Sequence, residues 1–105
     1  MDLRLKREKD FSKVFNKGKR LYSKKLTLVY IEEKSLKVGY AVSKKHGGAV
    51  VRNKIKRILR ESFRSFIPSM VQNFFFVFIP KVEEEYNFHE IKKDMEYLLK
   101  KGNFI

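Results

Sequence analysis

The chain has 105 residues and no cysteine; 43% of it is hydrophobic, and 25 Lys and Arg against 12 Asp and Glu give a formal net charge of +13 at pH 7. That length suits one domain, spanning residues 1–105, and that apolar fraction is enough to fold. The missing cysteines exclude disulfides, thiolate nucleophiles and thiolate zinc sites. A compact domain so charged repels itself unless a polyanion neutralises it, and nucleic acid is the commonest polyanion. No run is long and apolar enough to span a membrane, and the opening MDLRLKREKD lacks an apolar signal segment. The expectation is therefore a cytoplasmic protein without a membrane partner.

In chain order, Met1–Arg7 reads as a basic arm. Lys9–Lys17 predicts a short helix, because Phe11, Val14 and Phe15 share one face by their three- and four-residue spacing. Gly18 is a fitting terminator. Leu26–Ile31 reads as a strand from its β-branched and aromatic content, with Leu26, Leu28 and Tyr30 on one face and Thr27, Val29 and Ile31 on the other. Leu36–Ser43 returns as a second strand. Its Leu36, Val38, Tyr40 and Val42 share a face, and the small Gly39, Ala41 and Ser43 lie opposite, where something can approach the backbone closely. Lys44–Ala49 is a glycine-containing loop.

Val50–Phe66 is the clearest helix, and Pro68 stops it. Asn73–Ile79 is a continuous apolar run of strand length, suited to burial on both faces. Lys81–Tyr86 is an acidic loop. Phe88–Lys101 is a second amphipathic helix, with Ile91, Met95, Leu98 and Leu99 on its buried side. The sum is an α+β domain with helices packed on a sheet.

At about 100° per residue, Val50–Phe66 divides into two faces. Val51, Ile55, Ile58, Leu59, Ser62, Phe63 and Phe66 form the core side. Asn53, Lys56, Arg57, Arg60 and Arg64 form the opposite arc, with Arg52 at its border and Lys54 beside it. Glu61 is the only carboxylate. An ordinary solvated face mixes signs as Glu–Lys pairs four apart. Here Arg52, Lys56, Arg60 and Arg64 follow one another at four-residue steps, a repulsion that points to use on a partner. Guanidinium forks suit phosphate oxygens and stack on bases, and Asn53 suits a base edge or sugar hydroxyl.

The stretch VGYAVSKKHGGAVVRNKIKRILRESFR, Val38–Arg64, resembles the signature region of the bacterial ribonuclease P protein component. LKREKDFSKVFNKGKR, Leu5–Arg20, resembles that family's opening helix, and the likeness covers about Leu3 to Arg64. The resemblance implies an α-β-β-β-α-β-α fold on a mixed four-stranded sheet, ribosomal-protein-like, with a left-handed βαβ crossover. Strand twist alone would favour the right-handed form, so the hand rests on the family. It implies an RNA-binding subunit that assists a catalytic RNA in endonucleolytic removal of the 5′ leader from precursor tRNA. The implied partners are ribonuclease P RNA and that leader, with no further protein required. The implied metal is Mg²⁺, used by the RNA subunit and not bound tightly by the protein.

Residue by residue, the resemblance assigns Arg52, Asn53, Lys56, Arg57 and Arg60 to RNA binding; Lys54 and Arg64 join them from the charged side of the helix, and Lys44 and Lys45, matching with Ser43 the strand end beside the leader cleft, are expected to bind RNA as well. Phe11, Phe15, Leu28, Tyr30 and Ser43 fall to a cleft for the single-stranded leader. Lys54 departs from the family's usual Arg, keeping charge and losing the fork. Gly48 stands where relatives often carry Asn, which loosens the loop entering the helix.

The bland readings differ by residue. Phe11 and Phe15 suit a core as well as a cleft, although single strands do stack on aromatics in basic grooves. Glu32–Glu33 and Glu83–Glu85 read as solvated turns, His46 as a loop residue near RNA or a plain surface histidine, and His89 as a helix-surface residue. No nucleophile–base constellation is visible, so no catalytic residue is expected in the protein. Two other classes stay open: a basic ribosomal protein, and a DNA-binding regulator, ranked last for want of a helix at helix-turn-helix spacing.

Overall fold

The computed structural model describes residues 3–105. Its elements are α1 (Glu8–Lys17), β1 (Lys19–Tyr22), β2 (Leu26–Glu32), β3 (Lys37–Tyr40), α2 (Ala49–Arg64), β4 (Phe74–Pro80) and α3 (Phe88–Lys101), with 3₁₀ turns at Lys44–His46 and Ile67–Ser69. The order α-β-β-β-α-β-α and the single α+β domain agree with the expectation from sequence. The strand order is β1-β2-β4-β3, with β1–β2 and β2–β4 antiparallel and β3–β4 parallel. Since β3 and β4 are parallel neighbours, the segment between them must cross a face of the sheet, and α2 is that crossover.

The fourth strand, β1, has no apolar run in Lys19–Tyr22 and is paired on one side only. Charged residues suit such an edge, because they discourage pairing with another chain. β3 is shorter than the expected Leu36–Ser43, since chain pairing ends once Ala41 has donated to the Phe78 carbonyl. The supposed arm is partly structured. Leu5 N–H donates to the Val38 carbonyl and Val38 N–H to the Leu3 carbonyl, so the N-terminal segment runs along the outer edge of β3. Met1 and Asp2 lie outside the described residues.

The sheet separates two cores. Leu26, Leu28, Val38, Phe76 and Phe78 face α2 and α3, where they meet Ile55, Leu59, Phe63, Met95 and Leu98. Val29 and Val77 face α1 and pack with Val14, Leu5 and the half-buried Phe11 and Phe15. Phe76, Val77 and Phe78 are all fully enclosed, as a strand buried on both faces requires. α3 buries Ile91, Met95, Leu98 and Leu99, and Asn87 caps it by accepting from Glu90 N–H.

Candidate nucleic-acid interface

α2 is held to the sheet by Ile55, Ile58, Leu59, Ser62 and Phe63, and the Ser62 hydroxyl is satisfied by donating 2.7 Å to the Ile58 carbonyl. This anchoring turns Asn53, Lys54, Lys56, Arg57, Arg60 and Arg64 to solvent. The ion pairs Lys13–Glu33, Lys25–Glu83, Lys25–Glu90 and Lys100–Glu96 all lie on other elements, leaving the ridge without a carboxylate partner among the described residues. Arg52 is half-buried, and its Nε is enclosed without a hydrogen-bond partner. Val51 marks the edge of the apolar face, being 40% exposed.

The loop before α2 is built, not loose. Ser43 caps the Lys44–His46 turn, and its side chain accepts from Lys45 N–H. The His46 Nδ1 accepts from Ser43 N–H at 3.1 Å, which places the ring proton on Nε2, and Nε2 donates 2.7 Å to the Pro80 carbonyl at the end of β4. His46 is therefore a buried clamp between two chain segments, and neither surface reading of it holds. Lys44 and Lys45 remain exposed. Gly47, at φ 139, takes a backbone conformation that side-chain-bearing residues rarely adopt, and a Cβ there would also strike Val51.

The residues expected to line a leader cleft do not share one surface. Phe11 and Phe15 lie on the α1 face, whereas Leu28 is fully buried in the α2–α3 core. Tyr30 sits on that same side, edge-on to Phe104 at 4.8 Å and to Phe74 at 6.0 Å. The physical reason is the two-residue period of a strand: Leu28 and Tyr30 share the face whose neighbours, Leu26 and Phe78, meet α2 and α3. The α1-facing residues of β2 are Thr27, Val29 and Ile31.

A different groove exists on that face. The register aligns Tyr22 with Thr27 and Thr27 with Ile79, and Ala41 follows the Tyr40–Phe78 pair. This row crosses the end of the sheet. Lys13 pairs with Glu33 at the other end of β2, and Phe15 lies about 160° around the helix from Lys13. Phe15 packs against the same Val14, Val29 and Val77 cluster as Ala41 and Ile79. Thr27, Ala41, Ser43, Lys45, Ile79 and Lys81 line an open depression of about 540 Å³ at the Thr27 end. Ser43 and Lys45 were singled out by the sequence, and Ala41 as part of its small-residue face; the depression's Ile79, Thr27 and Lys81 were not. The signal available for Thr27 and Ile79 was strand alternation, since β2 and β4 carry their smaller side chains on the face covered by a single helix.

The acidic segments have structural duties. The hydrogen bonds Lys25 donates to Glu83 and Glu90 raise its pKa, and the one Glu33 accepts from Lys13 lowers that of Glu33. Asp94 accepts from Lys25 N–H and from the Ser23 hydroxyl, tying the β1–β2 turn to α3. Among the described residues, no three His, Cys, Asp or Glu side chains converge as a metal site would need. No helix is long and apolar enough to cross a membrane among those residues.

The model of the Ribonuclease P family matches residues 1–103. The chain is 38% identical over 104 residues to the ribonuclease P protein component of Streptococcus agalactiae, covering 97% of this chain and 95% of that one. It is 37% identical to the component from Caldanaerobacter subterraneus, with 93% and 87% covered. The structure superimposes on the RNase P protein of Staphylococcus aureus with a TM-score of 0.87 at 28% identity, covering 99% and 98% of the two chains. Against the RNase P protein of Thermotoga maritima the TM-score is 0.84 at 30% identity, covering 93% and 96%.

Proposed function

This chain belongs to the ribonuclease P protein family, as a protein subunit of that tRNA 5′-processing ribonucleoprotein, and we propose that its two basic surfaces divide the work between two RNAs. The α2 ridge docks on the RNA subunit. The groove across the sheet end receives the single-stranded 5′ leader of precursor tRNA. The observation that carries this reading is the ridge of Lys54, Lys56, Arg57, Arg60 and Arg64, exposed and, among the described residues, without acidic partners on a firmly anchored helix. Charge held in that way is available to phosphates at no cost in broken ion pairs.

The groove supports the leader assignment by its composition. Thr27, Ala41 and Ile79 give a low floor and Lys45 and Lys81 a cationic rim, and Phe15, on the same face of the sheet, is the aromatic side chain assigned to its wall. Stacking on an aromatic wall tolerates any base, as a leader of variable sequence requires. The ridge and the groove meet at the Lys44–His46 turn, so His46 holds Lys44 and Lys45 between the two surfaces.

In this reading the chemical step belongs to the RNA subunit, whose Mg²⁺ activates water and stabilises the leaving oxygen. The protein lets two polyanions approach and positions the leader, in the cytoplasm and without a further protein. The test is reconstitution: the chain is added to ribonuclease P RNA at low Mg²⁺ and cleavage of precursor tRNA is measured. Stimulation that is larger for leader-bearing than for leaderless substrate is expected. Absence of any stimulation would defeat the proposal.

A further inference from the structure

A cavity of about 560 Å³ opens at the outer edge of β3, separate from the groove just described. Its size falls within the range of small-ligand sites, roughly 300 to 1,000 Å³. One wall is the Leu3–Leu5 segment, fixed by its two backbone hydrogen bonds to Val38. The other is α2, through Lys56, Arg60 and Arg64. Among the described residues, no Asp or Glu lines the cavity.

Between these walls lie aromatic surfaces. Tyr40 and Phe63 line the cavity from the sheet and from α2, with Phe11 at its margin over Gly39. The Tyr40 ring is held by stacking on Phe78 at 6.4 Å and 21°. Burial raises the Tyr40 pKa while the Arg60 and Arg64 charges lower it, so its hydroxyl stays protonated and lies within reach of both guanidinium fields. A plain anion would use the cations and leave the rings idle. A plain hydrophobic ligand would strand the cations. An aromatic ring joined to a phosphate uses both.

We propose that this cavity binds one unstacked ribonucleotide, with its phosphate on Arg60, Arg64 and the Tyr40 hydroxyl and its base against the aromatic rings. The proposal rests on the reading that the α2 ridge meets RNA, and deepens it by giving one end of the ridge a nucleotide-sized site. The nucleotide belongs either to the RNA subunit or to the leader, since both present the same chemistry.

The test titrates the full chain, isotopically labelled, with uridine monophosphate, inorganic phosphate and uridine, reading amide shifts by NMR. Uridine monophosphate is expected to give saturable shifts at Gly39, Tyr40 and Phe63 that phosphate alone does not. Tyr40→Phe, which keeps the ring, and Arg64→Gln, at an exposed position, should each weaken it about fivefold, the scale of one lost hydrogen bond. Shifts that never saturate, or that match those of phosphate, overturn the proposal.

In reconstitution, weaker binding of both variants to ribonuclease P RNA identifies the RNA subunit as donor. A loss confined to leader-bearing substrate identifies the leader. No loss in either overturns the proposal. Arg57→Gln, outside the cavity, separates the two readings. If it fails to weaken the RNA subunit, the ridge reading falls, whatever uridine monophosphate does. If it weakens the RNA subunit while uridine monophosphate does not saturate, the ridge stands and the cavity falls.

Discussion

Val29 and Tyr30 are adjacent in sequence, yet they serve different cores on opposite faces of one sheet. That single step decides which aromatics can meet RNA. Tyr30→Ala removes edge contacts to Phe74 and Phe104, so it should cost about 2–4 kcal/mol of stability, as large-to-small core changes do. It should leave the preference for leader-bearing substrate unchanged. Phe15→Ala, on a residue half-buried like Tyr30 but without its two ring contacts, should cost less stability and should reduce that preference. The check is thermal unfolding alongside affinities for leader-bearing and leaderless precursor. If Tyr30→Ala abolished the preference while Phe15→Ala did not, the groove would be misplaced.

At the scale of elements, α2 combines a strong anchor with a weak start. Its N-cap, Gly48, offers no side-chain acceptor, yet its backbone is already extended, at φ −73 and ψ −180, and a Cβ there would meet nothing within 4 Å. Gly48→Asn should therefore raise stability by about 0.5 kcal/mol by supplying a cap, read as a higher denaturant midpoint. A lower midpoint would show that Gly48 is kept for its backbone freedom. The ridge gives a second expectation. If the ridge docks on the RNA subunit as proposed, Arg57→Gln removes one phosphate contact, and the slope of log affinity against log salt should fall by about one. An unchanged slope would place Arg57 off the RNA. The helix-wheel division of α2 agrees with the burial observed, because Ile55, Ile58, Leu59 and Phe63 recur at the helical period.

The whole molecule carries +13 within a radius of gyration of 12.8 Å. Self-repulsion at that density destabilises the free chain, and roughly 0.15 M salt brings the screening length to about 8 Å. The unfolding temperature should therefore rise as NaCl is raised from near zero to physiological strength. A flat or falling profile would mean that the Lys13–Glu33 and Lys25–Glu83 pairs, which salt weakens, matter more than the repulsion. The same salt should weaken RNA binding, so stability and affinity are expected to move in opposite directions. Of the three classes left open by charge alone, the family match decides for the ribonuclease P subunit over the ribosomal and DNA-binding readings.

By itself the sequence determined the periodic elements and the ridge. α3 was legible at both ends, because its apolar period runs from Ile91 to Leu99 between Asn87 and Gly102, and the cationic face of α2 follows from its apolar one. β1 was not legible from its own residues, since Lys19–Tyr22 has no apolar period and owes its form to pairing with β2. Tertiary structure alone decided which face of the sheet each strand residue serves, for alternation gives two faces without saying which one a helix covers. It alone joined His46 to Pro80, 34 residues apart, and set the N-terminal segment beside β3 to enclose a cavity. The ridge is a property of one helix and was readable along the chain. The groove and the cavity are assembled from several elements, and their position was settled only when the chain folded.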